Sequence, residues 1–259
     1  MTDLTKHDLY ELCLQNSAQL APVLRAIHGN EPTILGEDFA GTAVLSNVWA
    51  SRDGCHAIAV DLDGDALSHH GDVDGVKKTA ANVLDVTEPC DVLFVGNFSI
   101  GYWHTRDELV AYLRHARSRL RDGGVFIYDI YGGETAFLIG DVHREHRIAN
   151  GPHAGKRVRY TWSQREANPL TGMVTNTCSF RVENAGHIEN EFEDAFIYNW
   201  RLWSVPELHD AMRESGYHSI KVFSQEPDAI DGDGRVFVHP VSAPPETDGD
   251  FIVLIAAGE

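Results

Sequence analysis

The residues best suited to chemistry fall in one run, Ile34-Leu35-Gly36-Glu37-Asp38-Phe39-Ala40-Gly41-Thr42-Ala43. A short apolar strand passes through a turn of small residues into a helix. At such a turn the backbone N–H groups of the helix start face outward, and the small side chains let a ligand come close. That is the geometry of a nucleotide cradle. About twenty residues on, a second strand ends in Val60-Asp61, and an acid at that place accepts the ribose hydroxyls of an adenosine. The turn is not a GxGxxG, because Phe39 and Ala43 stand where two glycines would be. A dinucleotide pyrophosphate needs those glycines. Glu37 repels a pyrophosphate and attracts a cation, directly or through a water. S-adenosylmethionine, an adenosine with a sulfonium and an ammonium, meets both conditions.

The elements that must hold these residues follow from periodicity. Leu9, Leu12, Cys13, Leu20, Val23, Leu24 and Ile27 fall at helical spacing, so residues 5–28 form one or two helices, with a break expected near Pro22. The chain then alternates. Strands are predicted at 33–37, 56–61, 76–81, 91–96 and 125–129, and helices at 42–49, 63–70 and 105–120. Thr105 and Glu108 make a capping box for the last helix. Alternating strands and helices imply a parallel sheet covered on both faces, as do the near-continuous apolar strands HAIAVD and DVLFVG. After residue 155 the period changes to two. Residues 157–164, 172–182 and 188–199 are read as a three-strand antiparallel meander, with turns at Asn168-Pro169 and Asn184-Ala185-Gly186. A helix at 205–215 and strands at 217–224 and 251–257 close the chain. No helix separates these last two strands, so they form a hairpin that leaves the final strand antiparallel. The acidic stretch 225–250 between them is a long loop that looks mobile.

EDFAGTA, AVDLD, AANVLDV, DVLFVGNFS and RLRDGGVFIYD, in that order, resemble the motif series of the class I S-adenosylmethionine-dependent methyltransferases. YELCLQ, NFS and YNWRLWSVPEL narrow the resemblance to a bacterial subgroup whose first motif reads E-D-F-C-G-T-A, and it covers residues 5–257. It implies a Rossmann-like α/β fold with a seven-stranded sheet, methyl transfer to a small-molecule acceptor, and S-adenosylmethionine as cofactor. It also implies roles for individual residues. Glu37 orients the methionine amino group, and Phe39, Ala40 and Gly41 form the first turn. Asp61 binds ribose and Leu62 packs on adenine. Asn82 or Asp85 takes the adenine amine, while Val83 offers its backbone N–H to the ring. Asn97, Phe98 and Ser99 border the methyl group, and Tyr10 joins the cofactor set.

Methyl transfer needs alignment more than a fixed catalytic dyad, and the sequence shows no such dyad. Expected acceptor contacts are Tyr102, Trp103, His104 and Tyr131 beyond the fourth and fifth strands. The meander adds Tyr160, Trp162, Tyr198, Arg201 and Trp203, although aromatics there also serve as plain core. Arg201, in an apolar run, needs a partner such as Glu193 or a bound carboxylate. The expected division is 1–139 with 204–259 as the cofactor-binding domain. Residues 140–203 are then an inserted β subdomain that lids the acceptor pocket or joins a homodimer.

Two patterns are weaker than they look. Asp61, Asp63, Asp65 and Asp72 match part of a calcium-loop spacing, but Ala66 stands where a glycine is needed. The 14 histidines show no zinc spacing, so no metal is expected. The formal charge of −18 argues against nucleic acid and anionic membrane surfaces as partners. Arg114, Arg117, Arg119 and Arg121 are read as the solvated face of a helix. The four cysteines form no CxxC pair and are expected as buried thiols. With no apolar run of membrane length and no signal-like start, a cytoplasmic protein is expected. Two other readings stay open: a nicotinamide oxidoreductase on a similar sheet, and a cofactor-binding module without transfer activity.

Overall fold

The computed structural model describes residues 3–242 and 249–258. Its helices are α1 (Lys6–Leu14), α2 (Ser17–His28), α3 (Val44–Ala50), α4 (Gly64–Leu67), α5 (Arg106–Ser118) and α6 (Val205–Glu214). Its strands are β1 (Ile34–Asp38), β2 (His56–Asp61), β3 (Val76–Ala80), β4 (Cys90–Val95), β5 (Leu120–Gly133), β6 (Gly140–Arg147), β7 (Arg157–Asn168), β8 (Met173–Asn184) and β9 (His187–Arg201). They are followed by β10 (Ser219–Ser224), β11 (Ala229–Ile230), β12 (Val236–Phe237) and β13 (Asp250–Gly258). The chain forms two compact units. One holds residues 3–16 with Phe137–Leu202, and the other holds Ser17–Ala136 with the described residues from Trp203 on.

The larger unit is built on a seven-stranded sheet in the order β10-β13-β5-β4-β1-β2-β3. β1 to β5 run parallel, and β13 lies antiparallel between β5 and β10, as expected. β4 shows why both faces are covered. Leu93 and Val95 pack with residues of α5 and α6, while Val92 and Phe94 pack with residues of α2 and α3. Each such side chain, fully buried, is worth about 1.5–3 kcal/mol. Capping boxes start α5 (Thr105 with Glu108) and α6 (Ser204 with Glu207).

Four readings from the sequence need correction. Arg119 is not solvated. It is 1% exposed, and its Nη1 lies 2.7 Å from Oδ1 of the buried Asp38, which also accepts the Tyr112 hydroxyl at 2.8 Å. Periodicity could not see this, because Arg119 follows α5 and its partner is on β1. The helix break falls at Gln15–Asn16, and Pro22 is carried inside α2. β5 starts at Leu120 instead of after Asp122-Gly123-Gly124, because Leu120 pairs with Cys90 before a register shift. The 225–250 stretch is not wholly loop. β11 and β12 form a small hairpin, Phe223 bridges Pro240, and Val236 and Val238 pack on the core; residues 243–248 lie outside the described residues.

The smaller unit is a four-stranded antiparallel sheet, β6-β7-β8-β9, with one strand more than the predicted meander. β6 escaped prediction because GDVHREHR is an exposed edge strand with almost no apolar alternation. On one face Leu9 and Cys13 of α1 pack with Val158, Tyr160, Cys178, Phe180 and Val182. All four cysteines are free and buried, as their spacing predicts. Among the described residues no helix is long and apolar enough to cross a membrane.

The Asp38–Arg119 pair has a direct test. Arg119→Met strands a buried carboxylate and is expected to cost about 3–5 kcal/mol in urea unfolding. Tyr112→Phe is expected to cost about 1.5–3 kcal/mol, the value of a hydrogen bond to a charged group. Asp38→Asn combined with Arg119→Met should recover most of the loss. A loss below about 1 kcal/mol for Arg119→Met would mean the pair is not a structural hub.

Candidate active site

The carboxyl ends of the parallel strands converge on one edge of the larger unit. Glu37 is buried at the end of β1, and its Oε2 accepts both the backbone N–H of Ser46 (3.0 Å) and its hydroxyl (2.6 Å). Burial pushes the Glu37 carboxyl up to about 7 against the two Ser46 bonds, and Asp61 and Asp38 add repulsion. After β1 the chain turns through Phe39, Gly41 and Ala43, with φ of 58°, 54° and 59°. Phe39 and Ala43 thus adopt the left-handed backbone that glycines usually supply, at about 1–2 kcal/mol each. Three bonds hold the turn: Ala40 N–H to Val60 O at 2.9 Å, Ala43 N–H to Ala40 O at 2.9 Å, and Gly41 N–H to Asp61 Oδ2 at 2.7 Å. A Cβ on Gly41 would meet nothing within 4 Å, so the space above the turn is open.

Asp61 therefore has two duties. Besides Gly41, it accepts the Asp63 N–H on Oδ1 at 2.9 Å, and a carboxylate oxygen that accepts one bond has a lone pair for another. Leu62 beside it is 75% exposed, an apolar side chain presented to a ligand or to water. Beyond β3, the oxygen of Asn82 accepts the Leu84 N–H at 2.9 Å and caps the 3-10 turn Val83–Asp85. Val83 is buried, and Asp85 is exposed.

Beyond β4, Asn97 and Phe98 form a second left-handed pair, with φ of 54° and 60°. Their N–H groups point at one carboxylate that the sequence analysis did not single out, Asp129, which lies within β5 just past the stretch that pairs with β4. Asn97 donates to Oδ2 at 3.1 Å and Phe98 to Oδ1 at 2.7 Å, and the Gln225 amide reaches Oδ2 at 3.3 Å. Burial pushes Asp129 up to about 7, while these backbone bonds pull it down. The only signal available was the Tyr-Asp ending of VFIYD.

Ser99 is buried, and the 3-10 turn Ser99–Tyr102 carries the chain into an aromatic group. Phe39 stacks on Tyr102 (5.8 Å) and meets Trp103 edge-on (6.2 Å), and Trp103 stacks on Tyr112 (4.8 Å). Trp203, expected in the meander, belongs to the larger unit and donates from Nε1 to the Trp103 carbonyl at 3.0 Å. Tyr131 meets Phe98 edge-on at 4.9 Å, and His104 is exposed.

The other expected residues lie in the smaller unit. Tyr10 meets Phe196 at 4.9 Å. Tyr160 is 3% exposed and stacks on Phe180, so it is core of that sheet. Tyr198 stacks on Trp200 (4.5 Å) and Trp162 (6.0 Å), and Arg201 ends β9 opposite Met173. The opposite face of this sheet is polar and forms a groove of about 810 Å³. Its arginines are already paired, Arg159 with Glu145 at 3.1 Å and Arg165 with Asp194 at 2.9 Å.

Charge decides what the strand-end site can hold. The loops 37–43, 61–65, 81–85, 96–104 and 129–136 contain Glu37, Asp38, Asp61, Asp63, Asp65, Asp85, Asp129 and Glu134, and no Lys or Arg. A pyrophosphate would find no counter-charge there, whereas a cationic adenosine compound fits the donor set.

No family model matches the sequence, and no curated protein matches it. Solved structures do. DesVI from Streptomyces venezuelae aligns over 99% of this chain and 99% of its own at 16% identity, with a TM-score of 0.71. CalS10 from Micromonospora echinaspora, an amino pentose methyltransferase with S-adenosylmethionine bound, covers 100% and 98% at 16% identity, TM-score 0.65. A S-adenosylmethionine-dependent methyltransferase from Clostridium acetobutylicum covers 97% and 97% at 14% identity, TM-score 0.63. The fold is that of the S-adenosylmethionine-dependent methyltransferases. The resemblance drawn from the motif series therefore holds at the level of architecture, including the antiparallel last strand.

The raised Glu37 makes stability pH-dependent. A carboxyl with a raised folded pKa stabilises the fold while protonated. That contribution is complete below the ordinary value of 4.5 and is lost as pH rises through about 7. The urea midpoint is expected to fall from pH 5 to pH 8, and Glu37→Gln should flatten that fall. An unaltered pH dependence in Glu37→Gln would place its titration back in the ordinary range.

Proposed function

We propose that the chain is an S-adenosylmethionine-dependent methyltransferase acting on a small-molecule acceptor. One observation carries the reading: on a methyltransferase-type sheet, every loop at the carboxyl edge of β1 to β5 is free of Lys and Arg, and Glu37 and Asp61 sit at the two strand ends where a cationic nucleoside places its ammonium and its ribose. When bound, S-adenosylmethionine supplies a methyl group on a sulfonium that an acceptor nucleophile displaces in line. Glu37 would hold the ammonium, and Asp61 would accept the ribose hydroxyls while keeping the first turn shaped through Gly41. Leu62, Asn82, Val83 and Asp85 would hold the adenine, and Phe98 and Ser99 would border the methyl group. Phe39, Tyr102, Trp103 and Tyr131 give the acceptor an aromatic wall that excludes water and aligns it.

The choice of a small acceptor is supported by the solved structures with this fold, among them CalS10 and the sugar N-methyltransferase KedS8 from Streptoalloteichus. The charge of −18 counts against nucleic acid as acceptor. A small amine is the acceptor class to assay first.

Calorimetry tests the reading. S-adenosylmethionine is expected to bind, and NAD is not. Asp61→Ala should weaken binding by about 1.5–3 kcal/mol, the value of hydrogen bonds to a charged group. Asp61→Asn, which keeps one acceptor oxygen, should weaken it less. Near pH 6.5 binding should release protons, because an ammonium beside Glu37 draws its carboxyl down from about 7. Tight NAD binding, or wild-type affinity in Asp61→Ala, would overturn the assignment.

A further inference from the structure

We propose that Asp129 is a positioning residue for the methyl-transfer site: its carboxylate holds the Asn97–Phe98 turn in the left-handed conformation and so sets where Phe98, Tyr102 and Trp103 stand. This rests on the methyltransferase reading above.

Two consecutive non-glycine residues with φ of 54° and 60° do not stay left-handed without a reason. Here both N–H groups converge on one carboxylate, at 3.1 Å and 2.7 Å. An ionised carboxylate accepts on both oxygens at once, which no neutral side chain of that size can do. With the pair fixed, Phe98 packs edge-on against Tyr131, and the next residues form the 3-10 turn that leads into Tyr102 and Trp103. The aromatic wall of the acceptor site thus hangs from one buried acid.

Asp129 also ties that wall to a second element. Gln225, the first residue after β10, bonds to Oδ2, so three donors of the protein converge on this carboxylate. It is also buried, and Asp129 acts through the turn it holds. Its hydrogen-bond and register partners among the described residues carry no charge: Asn97 and Phe98 after β4, Gln225 after β10, and Leu254 across on β13. On β5 itself it is flanked by Ile130 and by Tyr128, whose hydroxyl is turned to Met212. With no cation beside it, a proton taken up near pH 7 loosens the turn.

Amide NMR and calorimetry on the whole chain test this, with S-adenosylhomocysteine as the probe. In the wild type the backbone amide protons of Asn97 and Phe98 should lie downfield and titrate together with a midpoint of about 7. Asp129→Asn turns an N–H donor toward Asn97 or Phe98. Both amides should move upfield and stop titrating, and affinity for the probe should drop about tenfold, the size of one charged hydrogen bond. Adding Gln225→Glu to Asp129→Asn gives the new amide an acceptor and should recover part of both effects. A purely structural role would lower the unfolding midpoint while leaving the two amides and the affinity unmoved, and that result overturns the proposal. If the wild type binds no S-adenosylhomocysteine, the functional reading fails instead. The amide titration still decides whether Asp129 holds the turn.

Discussion

A buried ion pair anchored on β1 organises the larger unit. Asp38 has no access to water, and an unpaired carboxylate there would be prohibitively costly. Arg119 answers it from the junction of α5 and β5, and Tyr112 answers it from the middle of α5. β1, α5 and the start of β5 are thereby pinned to one point. Gly36 makes the room: a Cβ there would stand 2.8 Å from Leu93 Cδ1, 3.0 Å from Cys90 Sγ and 3.4 Å from Arg119 Nη2. The ring of Tyr112, fixed by its hydroxyl, becomes the floor on which Trp103 stacks and against which Phe39 turns its edge. A structural ion pair is in this way coupled to the aromatic wall of the site.

The strand-end rim repeats one device. A carboxylate collects backbone N–H groups and so fixes a nearby segment: buried Glu37 with Ser46 of α3, half-buried Asp61 with Gly41 and Asp63, buried Asp129 with Asn97 and Phe98. Glycine-rich turns reach similar shapes through conformational freedom. Here Phe39, Ala43, Asn97 and Phe98 are held left-handed by hydrogen bonds; Ala43 is core, while the half-buried side chains of Phe39, Asn97 and Phe98 remain available at the rim. The rim is therefore both acidic and aromatic, which suits a cationic nucleoside and a small acceptor better than a phosphate.

In the smaller unit the two faces of the sheet differ sharply. One face is apolar and aromatic, with Tyr160, Phe180, Tyr198 and Trp200, and takes α1. The other face is a lattice of paired charges around a polar groove. Period-two alternation in β7 and β8 writes both faces into the same residues. β6 has almost no apolar residues to alternate, so only its pairing with β7 reveals it as a strand.

The sequence by itself determined the order of the elements, the parallel character of the main sheet, the antiparallel end and the placement of Glu37 and Asp61 on consecutive strand ends. These follow from local periodicity and from turn chemistry, which act over a few residues. It did not determine which charges are buried. Arg119 stands in a run of arginines that looks solvated, yet its partner is 81 residues away on β1. Asp129 looked like the last residue of a strand, and its role depends on two N–H groups some thirty residues earlier, in a backbone conformation that no residue type announces. Trp203 looked like part of the meander but bonds to Trp103, 100 residues before it. Burial and hydrogen-bond partnership are properties of the assembled sheet, so only the tertiary structure could decide them.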